Sequence, residues 1–333
     1  MTPSKTSLAG YLVLLVFSSF IRAEETAAPP PPSVVHFRSP RGFFIVVPVF
    51  VNGSGPFEFL LDTGTTVTVV DPELLQSLRL DVIGDGSITT LAGKAAIPLA
   101  LAQTVSVEPV TEGKVQLAVR DLAGLRELDA KIHGVLGQNV LKNADYLIDN
   151  RKRTIEFDFC GSLSAVLEGE RVNTSPIATP ESPSYGSTVV PVKLAGPNRR
   201  DLNLILDSGS ASVVLFSDSL DLTQLVTRSR LPMEDDAGNL KYVPGYLAKL
   251  KVGGISLDVE ARITATAYKG LAVDGLLPIA GFGSVYISNS GDFVIFQAKR
   301  NRRTSGDKSV AAISQNAASN LPCQYDAREV DRN

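Results

Sequence analysis

Two short motifs carry the residues of this chain that are best suited to chemistry. They are Asp62-Thr63-Gly64-Thr65 and Asp207-Ser208-Gly209-Ser210. Each motif follows an alternating, mostly apolar run and precedes a β-branched run, which predicts a strand, a tight turn and a second strand. One Asp-Ser/Thr-Gly sequence is weak evidence, because these residues all favour turns. Two copies in equivalent contexts indicate a shared role.

The chemistry that the motifs allow depends on bringing their carboxylates together. Two adjacent carboxylates do not both ionise easily, so Asp62 and Asp207 would share one proton. One would then act as an acid and the other as a base, and a water molecule between them would be activated.

Six further motif residues would support this pair. The hydroxyl at the second position of each motif would bond across to the backbone of the opposite motif. The glycine would let the backbone approach closely because it has no Cβ. The hydroxyl at the fourth position would donate to a carboxylate and favour its charged form. These supporting residues are Thr63, Gly64, Thr65, Ser208, Gly209 and Ser210.

The two motifs lie at equivalent places of an internal repeat. Val46-Val47-Pro48-Val49 recurs as Val189-Val190-Pro191-Val192, and Asp207 lies 145 residues after Asp62. A period of this length is too long for a solenoid repeat, so it predicts two copies of one domain. Two homologous domains can face each other across a pseudo-twofold axis, which would bring their equivalent loops together.

The composition excludes several classes of protein. The 333 residues are 44% hydrophobic and 20% charged, which is typical of a globular protein. A net charge of −3 gives no reason to expect a nucleic-acid partner. With two His, two Cys and no metal-binding or phosphate-binding motif, the sequence predicts neither a metal nor a cofactor. The chemistry therefore falls to carboxylates.

The start of the chain predicts export. Residues 1–23 contain a basic start, an apolar stretch from Leu8 to Phe20 and a small residue, Ala23, at the expected cleavage point. The protein would then be periplasmic or secreted, and the alternative is retention by an uncleaved N-terminal segment. Export permits disulfides, and the pairing of Cys160 with Cys323 stays open at this point.

The strand-like patterns within each copy predict an all-β fold with little helix. Short helices are expected at 71–79 and around 138–144. Composition and the repeat divide the chain into six parts. They are a signal peptide (1–23), a Pro-rich linker (24–42), an N-terminal lobe (43–160), an inter-lobe linker (161–186), a C-terminal lobe (187–297) and a polar, disordered tail (298–333).

Four segments carry a resemblance to a known family. They are Phe59-Leu60-Leu61-Asp62-Thr63-Gly64-Thr65, Leu204-Ile205-Leu206-Asp207-Ser208-Gly209-Ser210, Ile132-His133-Gly134-Val135-Leu136-Gly137 and Val273-Asp274-Gly275-Leu276-Leu277. Through them the sequence resembles aspartic proteases of the pepsin and retropepsin type, including bacterial retropepsin-like proteins with two covalently linked lobes.

The resemblance implies two homologous β-barrel lobes related by a pseudo-twofold axis. It implies that Asp62 and Asp207 are the catalytic dyad of an aspartic endopeptidase, which hydrolyses peptide bonds with a dyad-bound water. A polypeptide substrate would lie in the cleft between the lobes of a monomer. The alternative is a catalytically inactive retropepsin-like protein that binds peptides or acts as a scaffold.

Departures from the pepsin pattern favour a retropepsin-like enzyme. Residues 85–100, where the first flap is expected, contain no aromatic residue, and the chain has no Trp. Pro278 takes the place of Gly137, so the second supporting element is expected to differ. Gly93 is a candidate for the turn at the flap tip, and Tyr242 lies near the equivalent point of the second copy. The hydroxyls of the motifs favour an acidic pH optimum.

Overall fold

The structure is a computed structural model. It describes residues 34–91, 93–179, 182–196, 199–220, 226–234, 240–265, 268 and 270–299. The expected signal peptide and nearly all of the expected tail lie outside these residues, so both stay predictions. No helix among the described residues is long and apolar enough to cross a membrane.

Strands dominate the described residues. They are β1 (Val34–His36), β2 (Val46–Val51), β3 (Ser54–Leu61), β4 (Val69–Val70), β5 (Asp81–Thr90), β6 (Gly93–Val107), β7 (Val110–Val119), β8 (Ile132–Leu136), β9 (Asp145–Asp149), β10 (Thr154–Asp158), β11 (Glu170–Asn173), β12 (Ser175–Thr179), β13 (Ser182–Ala195), β14 (Arg200–Asp207), β15 (Val213–Phe216), β16 (Thr227–Glu234), β17 (Leu240–Val252), β18 (Ile255–Thr264), β19 (Gly275–Pro278), β20 (Ser284–Ser288) and β21 (Phe293–Gln297).

The helices of the described residues are short. They are α1 (Pro72–Ser77), α2 (Ala123–Leu128), α3 (Gln138–Leu141) and α4 (Ser162–Val166). The α1 helix begins at Pro72, whose missing N–H costs nothing in the first turn, and the Asp71 carboxylate caps it by accepting from the Leu74 N–H. The expected helices at 71–79 and around 138–144 are therefore confirmed.

Two sheets with matching strand orders form two barrels. The first has the order β2-β3-β8-β4-β7-β6-β5, and β2 also pairs with β6. The second has the order β12-β13-β14-β19-β15-β18-β17-β16, and β13 also pairs with β17. The additional pairing closes six strands into a barrel in each case, which removes the exposed sheet edges of those strands. The predicted all-β class with two homologous barrel lobes is confirmed.

A third sheet joins the two lobes. Its order is β1-β10-β9-β20-β21-β11, so three strands from the first half of the chain are followed by three from the second. At its centre β9 pairs with β20, where Ile148 lies opposite Val285, and both residues are fully buried. Apolar burial along this shared sheet favours a fixed position of one lobe against the other.

The strands that lead into the two motifs are buried on both faces. On β3, Phe59 and Leu61 lie in the main apolar core, and Leu60 lies in a separate apolar cluster. On β14, Ile205 lies in a third cluster, away from the main core. A one-residue slip of such a strand would exchange its two packed faces, so its register is well defined. The residues that follow these strands are therefore held in place.

The segment 161–186 contains regular structure. It includes α4, β11, β12 and the first residues of β13. β11 pairs with β21 in the shared sheet, and β12 pairs with β13. The expected Pro-rich linker likewise includes β1, which pairs with β10. The boundaries of the six parts stay predictions.

Candidate active site

Each motif begins where a central strand ends. Asp62 follows the last residue of β3, and Asp207 is the last residue of β14. β3 runs parallel to β8, and β14 runs parallel to β19. The Asp62 N–H donates to the Leu136 carbonyl at 3.0 Å, so β8 holds the start of the first turn.

The two turns are joined by four buried hydrogen bonds. The Thr63 hydroxyl donates to the Leu206 carbonyl at 2.8 Å and accepts from the Ser208 N–H at 3.0 Å. In return, the Ser208 hydroxyl donates to the Leu61 carbonyl at 2.7 Å and accepts from the Thr63 N–H at 3.0 Å. The predicted cross-lobe hydrogen bonds are therefore present, and they link equivalent atoms of the two motifs in both directions.

This link brings Asp62 and Asp207 together. Their carboxyl groups lie close enough to interact with each other. The glycines make room for the pair, because a Cβ added at Gly64 would lie 3.0 Å from the Asp207 Cγ. A Cβ added at Gly209 would lie 2.6 Å from an Asp62 carboxylate oxygen. Both glycines therefore stand where no side chain fits beside the opposite carboxyl group.

The first motif surrounds its carboxylate with donors. Asp62 Oδ1 accepts from the Gly64 N–H at 2.8 Å and from the Thr65 N–H at 3.1 Å. Asp62 Oδ2 accepts from the Thr65 hydroxyl at 2.7 Å. Thr65 therefore lies where the sequence predicted, with its hydroxyl on the carboxylate.

The second carboxyl group lies in a less favourable place for charge. Asp207 is 7% exposed. The Gly209 N–H donates to it at 2.7 Å, and the Ser210 N–H also faces it. Burial and then the charge of Asp62 raise the pKa of Asp207 well above its usual range. Burial and the neighbouring carboxylate therefore both disfavour the charged form of Asp207.

The Ser210 hydroxyl departs from the prediction that it donates to a carboxylate. It donates instead to the Ser212 carbonyl at 2.8 Å and accepts from Arg262 Nη2 at 3.3 Å. A guanidinium carries only donors, so the hydroxyl turns its oxygen toward Arg262 and its proton elsewhere. The two motifs are alike in sequence but differ in this contact.

Sequence reasoning missed two side chains near the pair. Arg262 is a largely buried residue of β18, and the charge of Asp207 opposes the lowering of its pKa by burial. Tyr268 follows β18, and burial together with the charges of Asp207 and Asp62 raises its pKa. No sequence signal singled out Arg262, because β18 also carries Asp258 and Glu260.

The hairpin formed by β5 and β6 reaches from the first lobe to the second. Thr90 pairs with Gly93 at its end, and Gly93 has φ +136, a conformation that favours glycine. Leu91, at the tip, packs against a second-lobe cluster that includes Tyr268. The ring of Tyr268 also stacks on Phe216 at 5.8 Å. An aromatic side chain, Tyr268, therefore lies at the cluster that the hairpin tip contacts, whereas Tyr242 is 62% exposed.

The two supporting elements differ, as the exchange of Gly137 for Pro278 led us to expect. Gly137 is followed by α3, where the Gln138 side-chain amide donates to the Thr63 carbonyl at 2.8 Å. Pro278 is followed by a 3₁₀ turn, Ile279–Gly281. The first motif is therefore fixed by contacts that the second element does not repeat in the same form.

Two further observations concern metal and disulfide chemistry. Over the part of the chain that the structure describes, no group of three or more His, Cys, Asp or Glu side chains could hold a metal ion. The pairing of Cys160 with Cys323 stays a prediction, because Cys323 lies outside the described residues.

Comparisons with known proteins agree with this geometry. Residues 47–140 match the family model described as aspartyl protease. A search of curated proteins finds no match. The crystal structure of an aspartic proteinase from Irpex lacteus matches with a TM-score of 0.50 and 13% identity, over 81% of this chain and 98% of that one. At this identity the likeness concerns the fold, and it confirms the predicted pepsin/retropepsin-like architecture.

Proposed function

We propose that this chain, a pepsin/retropepsin-like aspartyl protease by its fold and by the family match of its first lobe, is an exported endopeptidase. In this proposal Asp62 and Asp207 bind and activate the water that attacks the peptide bond. The observation that carries it is the set of four buried hydrogen bonds between the motifs, which brings the Asp62 carboxylate and the buried Asp207 carboxyl group together.

The different surroundings of the two carboxyl groups support different roles for them, one as base and one as acid. Asp62 accepts three hydrogen bonds from its own motif, and these favour its charged form. A charged Asp62 can accept a proton from the water. Asp207 keeps a proton and can donate it to the scissile carbonyl oxygen. The water oxygen then bonds to the carbonyl carbon and its proton passes to Asp62. Asp62 then passes this proton to the amide nitrogen and the C–N bond breaks. A hydroxyl proton of the tetrahedral intermediate returns to Asp207, which restores the pair.

The substrate is proposed to be a polypeptide in the cleft between the lobes. The β5–β6 hairpin covers this cleft from the first lobe, and its tip contacts the second lobe at Leu91. Opening of a hairpin of this kind would admit the substrate, and its closing would exclude water during the reaction. One polypeptide supplies both motifs, so we propose that the monomer is active.

Export is proposed on the N-terminal sequence. Residues 1–23 have the composition of a secretory signal. A disulfide between Cys160 and Cys323 would fit this proposal, because disulfides persist in oxidising compartments.

The test uses the chain without residues 1–23 and an unfolded polypeptide as substrate, between about pH 3 and about pH 7. We expect pepstatin-sensitive cleavage, and a loss of about 10²–10⁴-fold in kcat for Asp62→Asn and for Asp207→Asn. Asp201→Asn, at the exposed start of β14, is the matched control and should retain full activity. Unchanged cleavage by either dyad variant would rule out the mechanism. Peptide binding without any cleavage would favour the scaffold alternative.

A further inference from the structure

Equivalent strand pairings in the two lobes place different residues at one corresponding position. In the first lobe β4 runs parallel to β7, with Val69 opposite Ala118. In the second lobe β15 runs parallel to β18, with Val214 opposite Arg262. Val214 lies 145 residues after Val69, the same spacing as between the two Asp residues. Arg262 therefore occupies the position that a fully buried alanine holds in the first lobe.

This exchange accounts for the different hydroxyl contacts of the two motifs. In the first lobe, where this position holds Ala118, the Thr65 hydroxyl donates to Asp62 at 2.7 Å. Beside Arg262, the Ser210 oxygen accepts from Nη2 and the hydroxyl proton goes to the Ser212 carbonyl. The arginine thus replaces a hydroxyl donor to the carboxyl group with a nearby positive charge.

We infer that Arg262 is a positioning residue of the dyad, which holds the Ser210 hydroxyl away from Asp207 and supplies a fixed positive charge beside that carboxyl group. Arg262 interacts electrostatically with Asp207 in the folded chain. A guanidinium stays charged at every pH at which the enzyme would work, so its effect does not itself titrate. The kinetic part of this inference rests on the proposed function, whereas the electrostatic part does not.

Other titratable groups near Asp207 could also change its pKa, and among the described residues they are few. Asp62 faces Asp207 from the first lobe, and Tyr268 faces it from the loop after β18. Glu260 lies two residues before Arg262 on the same face of β18, but it is engaged by Ser229 and by Arg228.

The neighbouring strands add no charge opposite the arginine. The residues of β15 and β19 are all uncharged, and β17 places Gly245 opposite Arg262. Arg262, held at the Ser210 hydroxyl, is therefore a described cation whose charge interacts with Asp207.

The expected effect follows from the sign of this charge. A nearby cation stabilises the ionised form of a carboxyl group, so Arg262 lowers the pH range over which the pair gives up its protons. Arg262→Met keeps a long apolar stem and removes the charge. We expect both limbs of the kcat/KM pH profile to move upward by about 1 unit in this variant.

Matched variants separate charge from packing. Arg262→Lys keeps the charge and should return the profile to within about 0.3 unit of the parent. Arg230→Met removes an exposed arginine of the same sheet and should leave the profile unchanged.

A carboxyl ¹³C NMR titration gives a readout that needs no activity. Labelling Asp and comparing with Asp207→Asn identifies the Asp207 signal, whose midpoint should rise by about 1 unit in Arg262→Met. Midpoints and profiles that stay at their parental values in Arg262→Met would overturn the inference. Equal shifts in Arg262→Met and Arg262→Lys would also overturn it, because they would show a packing role. An inactive parent whose Asp207 midpoint still responds to Arg262→Met would reject the proposed function and retain the electrostatic part.

Discussion

Thr63→Val removes two buried hydrogen bonds between the lobes with little change in side-chain shape. The Thr63 hydroxyl donates to the Leu206 carbonyl at 2.8 Å and accepts from the Ser208 N–H at 3.0 Å, and Thr63 is fully buried. Each buried polar group left unpaired costs about 1–3 kcal/mol. The free energy of unfolding should therefore fall by about 2–6 kcal/mol, a large part of the 5–15 kcal/mol or so that is usual for a folded protein.

Urea unfolding of Thr63→Val and of the parent measures this difference directly, from the midpoint and the slope of each curve. Thr111→Val is the matched control, because Thr111 is exposed on β7 and should cost less than about 0.5 kcal/mol. A loss in Thr63→Val no larger than that of the control would refute the argument that these hydrogen bonds hold the two turns together.

Three further predictions follow from the site. Gly209→Ala should abolish cleavage, because the added Cβ would lie 2.6 Å from an Asp62 oxygen. Gly281→Ala is the control and should retain cleavage, because Gly281 has open space around it. Equal activity of the two variants would count against the packing argument. Asp207→Asn should raise the free energy of unfolding more at neutral pH than at about pH 4. The reason is that the pKa of Asp207 is raised in the folded state, so the parent loses stability as the pH rises above the pKa of the unfolded chain. The Asn variant does not have this loss. Urea midpoints at both pH values check this, and an equal change at both would contradict it. The pH profile of kcat/KM should lie at lower pH in the parent than in Arg262→Met, as kinetics across the pH range would show.

The parts of the structure that follow from local pattern were predictable from the sequence. Alternating apolar residues predict strands, and duplication of the Asp-Thr/Ser-Gly motif predicts two equivalent lobes. The cross-lobe bonds of Thr63 and Ser208 could be predicted too, because a pseudo-twofold axis places each hydroxyl against the opposite turn. These inferences need only residue types and the symmetry of the repeat.

The remaining features depend on contacts between residues that are distant in sequence. The orientation of the Ser210 hydroxyl is set by Arg262, and the two residues are 52 positions apart. The equivalence of Arg262 with Ala118 becomes visible only through strand register. Composition alone also predicted a linker at 161–186, whereas pairing with β21 and β13 gives part of this segment regular structure. Side-chain composition does not report such pairings.

The most direct test of the account is high-resolution crystallography of the protein at its pH of highest activity. The account predicts that the Asp62 and Asp207 carboxyl groups lie side by side, with one solvent molecule within about 2.6–3.2 Å of an oxygen from each. Carboxyl groups too far apart to share one solvent molecule, with the motifs otherwise folded, would contradict it.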